Sequence, residues 1–164
     1  MRRRIHAVGR ATGSAVLAAT LAVTAGAGAA RADVGDRNET VKPGYATTNC
    51  LTANAGSGNV TVAPCKGVQT QAWLVSATGS ANATVKMGYA QGNCLTGNPQ
   101  TGVVQIASCN GRQPQAWLIS GTGLKNATIR PGYAQSKCLT YDASTGIVHL
   151  DQCAGLQKQA WLLS

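Results

Sequence analysis

Three residue types recur with a strict period of 44. Cys50, Cys94 and Cys138 are that far apart, and so are Cys65, Cys109 and Cys153, and Trp73, Trp117 and Trp161. Segments 33–76, 77–120 and 121–164 align without a gap. A chain built as three copies of one unit folds as one closed or stacked object, and any surface pocket can recur three times.

The first 32 residues stand outside this period. Arg2, Arg3, Arg4 and Arg10 form a basic start, an apolar stretch runs roughly from Ala15 to Val23, and Ala30-Arg31-Ala32 gives a small-x-small cleavage signal. This reads as a secretory signal peptide over residues 1–32, exported by the general or the twin-arginine route. Its apolar core is shorter than the ~20 residues a membrane span needs, so no membrane association is expected after cleavage. Cleavage after Ala32 leaves 132 residues, three times 44. One secreted domain, 33–164, is expected, large enough to bury a single core.

The formal charge of the whole sequence is +9. Without Arg2, Arg3, Arg4, Arg10 and Arg31, nine basic residues face five acidic ones. That excess is modest and speaks mostly to solubility. Lys42, Lys86 and Arg130 share one repeat position. They read as a solvated strand face, with an anionic partner as the alternative.

Six cysteines in an exported chain of this size imply disulfides. Fifteen pairings exist for six cysteines. Threefold symmetry leaves three, of which the within-repeat set Cys50–Cys65, Cys94–Cys109 and Cys138–Cys153 is the simplest. Each such loop spans 15 residues, worth roughly 3 kcal/mol by chain entropy. Thiolate metal sites are disfavoured, because no C-x-x-C occurs and the export route is oxidising.

In the second copy, Thr84–Tyr89 alternates apolar and polar residues as a half-buried strand does. Cys94–Thr96, Val103–Ala107 and Gln115–Ser120 read as further strands, separated by turn-rich segments such as Gly97–Gly102. No segment carries a helical period. Four strands per copy predict an all-β chain of about twelve short strands.

Most repeated residues have structural readings. Gly44, Gly88 and Gly132 mark a bend or close backbone approach. Gly58, Gly102 and Gly146 suit the hairpin leading into the third strand. Trp73, Trp117 and Trp161 form a core layer, and Gln71, Gln115 and Gln159 satisfy buried backbone groups. Phe is absent, so the tryptophans, the repeat tyrosines and the aliphatics are expected to fill the core.

Each copy reads Cys-Leu, a turn, Gly-x-Val, Cys, then Gln-x-Trp: Cys50-Leu51, Gly58, Val60, Cys65 and Gln71-Ala72-Trp73 in the first. The second has Cys94-Leu95, Gly102, Val104, Cys109 and Gln115-Ala116-Trp117; the third has Cys138-Leu139, Gly146, Val148, Cys153 and Gln159-Ala160-Trp161. Over 33–164 this resembles the ricin B-chain type of β-trefoil, the Gln-x-Trp lectins. The resemblance implies a six-stranded barrel capped by three hairpins, with within-repeat disulfides. It also implies binding of galactose- or mannose-type sugars in shallow pockets, up to one per repeat, with avidity from multivalency.

The sequence departs from the family at the pocket. The family's carboxylate follows Cys-Leu, where this chain has Thr52, Thr96 and Thr140. The family's stacking aromatic lies in the third strand, where this chain has Thr61 and Ala63, Gln105 and Ala107, and His149 and Asp151. The family's asparagine before Gln-x-Trp is replaced by Thr70, Pro114 and Lys158. Only the third copy carries polar candidates around its hairpin: an exposed Tyr141, Asp142, His149 and Asp151. Those four residues are the expected ligand site.

Catalysis is not expected. Segment 33–164 holds one histidine (His149), one glutamate (Glu39) and four aspartates, with Asp33 and Asp36 near its start. Triads and paired-carboxylate hydrolysis need convergent titratable groups, and one histidine argues against catalytic zinc. No metal or cofactor is expected. Asn38, Asn82 and Asn126 begin N-x-Thr sequons, which a repeated asparagine at the start of the first strand explains without glycosylation. Nucleic acid is an unfavoured partner, since no run mixes basic and aromatic residues. A monomeric, secreted, lectin-like module binding a glycan or polysaccharide is the first expectation. A protein-binding trefoil, such as a secreted hydrolase inhibitor using hairpin loops, is the alternative.

Overall fold

The computed structural model describes residues 38–76, 82–122 and 125–164. The expected signal peptide lies outside the described residues. The chain is all-β, with twelve strands in order: β1 Val41–Pro43, β2 Asn49–Ala53, β3 Val60–Pro64, β4 Trp73–Val75, β5 Val85–Met87, β6 Ala90–Gly97, β7 Val104–Ser108, β8 Trp117–Thr122, β9 Lys125–Pro131, β10 Lys137–Tyr141, β11 Val148–Gln152 and β12 Trp161–Leu163.

Six strands close a barrel. β1 pairs with β12, β4 with β5 and β8 with β9, each joining one repeat to the next. Within each repeat the first and fourth strands meet at one tryptophan: Glu39 bridges Trp73, Ala83 bridges Trp117 and Ala127 pairs with Trp161. Closure removes the unpaired sheet edges that would otherwise template association. The other strands form three antiparallel hairpins, β2–β3, β6–β7 and β10–β11. A six-stranded barrel with three hairpins is the β-trefoil that the resemblance implied.

Three tryptophans are fully buried, and each donates its indole N–H to a backbone carbonyl 22 residues earlier: Trp73 to Leu51, Trp117 to Leu95 and Trp161 to Leu139, all at 2.9 Å. A buried indole needs such an acceptor, so these bonds pin each hairpin to the barrel floor. The disulfides are Cys50–Cys65, Cys94–Cys109 and Cys138–Cys153, as expected.

The glycines mark contacts between repeats. Gly58, Gly102 and Gly146 have φ of 74°, 76° and 72°, a region an L side chain enters at a cost. Their carbonyls accept from Ile106, Leu150 and Val62 respectively, so the three hairpins are bonded in a ring. Gly44, Gly88 and Gly132 lie in or beside the turn after a strand and donate to the carbonyls of Ala160, Ala72 and Ala116. A Cβ on Gly88 would stand 3.1 Å from the Ala72 carbonyl oxygen, which confirms the close approach.

Three expectations are corrected. The strand expected over Thr84–Tyr89 ends at Met87, because Gly88 and Tyr89 turn the chain. The strand expected from Gln115 starts at Trp117, because Gln113–Gln115 forms a single 3-10 turn, repeated at Gln69–Gln71 and Gln157–Gln159. The repeat tyrosines do not fill the core: Tyr45, Tyr89 and Tyr133 remain 42%, 40% and 37% exposed. Each follows a glycine that leaves the strand, and the turn swings the ring outward.

Candidate functional site

The glutamine of each Gln-x-Trp is a clasp. Gln115 accepts from the Asn110 N–H at 2.8 Å and donates to the Ser108 carbonyl at 2.8 Å and the Thr96 hydroxyl at 3.1 Å. Thr96 in turn donates to the Cys94 carbonyl at 3.1 Å. Gln71 and Gln159 repeat the pattern with Thr52 and Thr140. The threonines that stand where the resemblance implied a carboxylate are therefore structural first. Each hydroxyl spends its proton on its own strand and keeps only acceptor capacity for a ligand.

Around Thr96 the second repeat forms an open depression of about 400 Å³. Its polar side chains are Thr96, Asn98, Gln100, Thr101 and Gln105; Val103, Pro114 and Tyr133 contribute apolar surface. Gln105 pairs opposite Thr96 across the β6–β7 hairpin and is exposed. Asn98 caps the hairpin turn through its Oδ1, which accepts from Gln100 and Thr101, leaving its amide N–H groups for other partners. Tyr133 arrives from the following repeat and donates its hydroxyl to the Gly97 carbonyl at 3.3 Å. Burial pushes this phenol above its usual range, so it stays a neutral donor. An amide, a hydroxyl and an aromatic wall in one shallow hollow can hold a ring bearing hydroxyls on its edges and C–H groups on its face.

The third repeat is built differently at three of these places. Tyr141 replaces Gly97, His149 replaces Gln105 and Lys158 replaces Pro114. Thr140 is 0% exposed, whereas Thr52 and Thr96 stay partly open. The expectation of an exposed Tyr141 is corrected: the residue is 6% exposed and belongs to the core, stacked on Tyr45. Asp142 accepts from the N–H and hydroxyl of Ser144 at 2.9 and 2.7 Å. This is the turn cap that Asn54 and Asn98 supply in the other copies. Those bonds hold the Asp142 carboxyl below its usual range. Asp151 pairs with Lys158 at 3.8 Å. His149 is half-buried and lines a different hollow, between the hairpins, beside Val103 and Ile147.

Tyr133 and Gln105 are the side chains that sequence reading did not place in a site. The absence of Phe directs the tyrosine to the core by composition alone. The signal available was the repeated Gly-Tyr-Ala at 44–46, 88–90 and 132–134, a large ring directly after a turn glycine. Among the described residues no group of three metal-ligating side chains converges.

Residues 81–164 match a family model described as the ricin-type beta-trefoil lectin domain. No curated protein matches the chain. Among solved structures, the chain is similar to the designed threefold symmetric protein ThreeFoil, with TM-score 0.64 and 17% identity over 78% of this chain and 98% of that one. It is similar to a Polyporus squamosus lectin bound to a human-type influenza-binding epitope, with TM-score 0.62 and 17% identity over 77% and 48%. A non-toxic homologue of type II RIPs from Momordica charantia, in complex with alpha-methyl-D-galactoside, gives 0.61 and 20% over 76% and 46%. The chain spans only 17% of the length of a mosquitocidal holotoxin that it matches with TM-score 0.66.

Proposed function

The chain belongs to the ricin-type beta-trefoil lectin family, and from that premise we propose a secreted, non-catalytic glycan-binding module whose sugar site is the second-repeat depression. One observation carries the reading: Tyr133, from the next repeat, walls a hollow whose polar groups include Thr96, Asn98 and Gln105. The ring of Tyr133 offers a face for the C–H side of a pyranose. The Gln105 amide donates and accepts at once, as a pair of vicinal hydroxyls requires. No carboxylate enters, so a single site binds weakly and the module depends on clustered or polymeric glycans. Similar structures hold an asialo-GM1 saccharide and alpha-methyl-D-galactoside, which makes galactosides the first class to test.

A glycan array with the full chain, Gln105→Ala and Tyr133→Ala tests this reading. Retained signal on galactose-type glycans for the parent and its loss in both variants is the expected result. Signal that survives both variants but falls with His149→Ala and Asp151→Ala together would move the site to the third repeat. A second reading, a protein-binding trefoil, is favoured by Val103 and Ile147, which are 51% and 53% exposed beside the hollow between the hairpins. No signal on any glycan, with secreted hydrolases inhibited by the chain, would reverse the order.

A further inference from the structure

Beside the Cys94–Cys109 disulfide lies a second depression of about 310 Å³, lined by Asn82, Thr84, Lys86 and Arg112. Thr84 and Lys86 are two residues apart on an extended segment, so their side chains share its outer face. Lys86 is half-buried and Arg112 is exposed. The only ion pair among the described residues joins Lys158 to Asp151, so neither cation of this hollow is neutralised by a described carboxylate.

The same hollow recurs 44 residues later, at about 380 Å³, with Asn126, Thr128, Arg130 and Leu156 in the corresponding places. There the Nε of Arg130 is buried and has no hydrogen-bond partner among the described residues. A buried guanidinium N–H without an acceptor is unfavourable, and an oxyanion is the group that satisfies it best. The two hollows therefore share one cationic position, Lys86 in the first and Arg130 in the second, and only the first adds a second cation, Arg112.

We propose that the Lys86–Arg112 depression is an oxyanion site, taking a sulfate or carboxylate group carried by an acidic polysaccharide. The choice of a polysaccharide rests on the sugar reading of the neighbouring hollow. The 3-10 turn Gln113–Gln115 separates the two depressions: Pro114 lines the Tyr133 side, while Arg112 and Gln115 line the Lys86 side. A linear glycan crossing that turn places a neutral ring against Tyr133 and an acidic substituent between Lys86 and Arg112. The third repeat offers one cation fewer, because Leu156 stands where Arg112 does.

The test is calorimetric titration of the full chain with three probes: a heparin-derived hexasaccharide, its desulfated form and an oligogalacturonate. Arg112→Leu copies the third repeat and preserves the fold; Lys86→Gln and Tyr133→Ala accompany it. Each cation variant is expected to weaken the acidic probes about tenfold, the loss of one charge-assisted contact, and to flatten their salt dependence. Binding of the hexasaccharide alone assigns sulfate, and binding of the oligogalacturonate assigns carboxylate. If Arg112→Leu removes acidic binding while Tyr133→Ala leaves it whole, the oxyanion site stands and the sugar reading falls. Failure of all the acidic probes to bind, or no effect of either cation variant, overturns the proposal. So does equally tight, equally sensitive binding of duplex DNA, which would mark an unspecific polyanion surface.

Discussion

Tyr141 of the third repeat stacks on Tyr45 of the first, with ring centroids 6.0 Å apart and planes 25° apart. The pair joins the two ends of the repeat array where the other copies have only Gly97 beside Tyr133 and Ala53 at the matching place. Tyr141 is buried and Tyr45 is 42% exposed, so the two truncations are unequal. Tyr141→Ala is expected to lower stability by about 3 kcal/mol and Tyr45→Ala by about 1 kcal/mol. Denaturant titration of both and of the double variant should yield a coupling of ~0.5–1.5 kcal/mol. Full additivity would mean that the stack contributes nothing.

Gln115 holds three groups at once: the Asn110 N–H, the Ser108 carbonyl and the Thr96 hydroxyl. Being 2% exposed, it has no solvent to replace it. Gln115→Ala leaves those groups unsatisfied, at a cost of about 2–4 kcal/mol. Gln115→Glu keeps the acceptor for Asn110 but faces the Ser108 carbonyl with a second acceptor, so it should be no better near neutral pH. Equilibrium unfolding of both variants checks the ranking, which a purely space-filling role for Gln115 would invert.

Gly102 and Gly111 both have positive φ, 76° and 67°, but only one is enclosed. A Cβ on Gly102 would stand 3.0 Å from the Leu150 carbonyl oxygen, while nothing lies within 4 Å of one on Gly111. Both alanine variants carry the left-handed backbone penalty of about 1–2 kcal/mol. Gly102→Ala adds a clash in the ring of hairpin contacts and should destabilise measurably more. Equal melting temperatures for the two variants would show that the ring yields freely.

The barrel was legible because its determinants are local and repeated. Cysteine spacing, the Gln-x-Trp triplet and the turn glycines each recur every 44 residues. The candidate hollow was not, because it is assembled across a repeat boundary. Tyr133 belongs to the third repeat by sequence and to the second-repeat hollow by geometry. Asp142 is unique among the copies as a charge, yet performs the same turn-capping as Asn54 and Asn98. A break in sequence symmetry carries weight only where the chemistry of the side chain changes with it, as at Arg112 against Leu156.

Glu39 sits where the other copies bury Ala83 and Ala127, opposite Trp73, and exchanges both backbone bonds with it. Its Oε2 is buried without a hydrogen-bond partner among the described residues. Burial raises its pKa above the ordinary 4.5, so the folded chain holds this proton more tightly than the unfolded chain does. The resulting stability is fully present below the unfolded value and is lost as pH rises through the folded one. Glu39→Gln removes that dependence. Its melting temperature should exceed the parent's at neutral pH, by the equivalent of at most about 1 kcal/mol after solvent screening, and the gap should close below pH 4.5. Glu39→Ala, which restores the residue of the other two copies, should show the same closing gap. A difference that stays constant across this range would mean that the carboxyl titrates identically in both states.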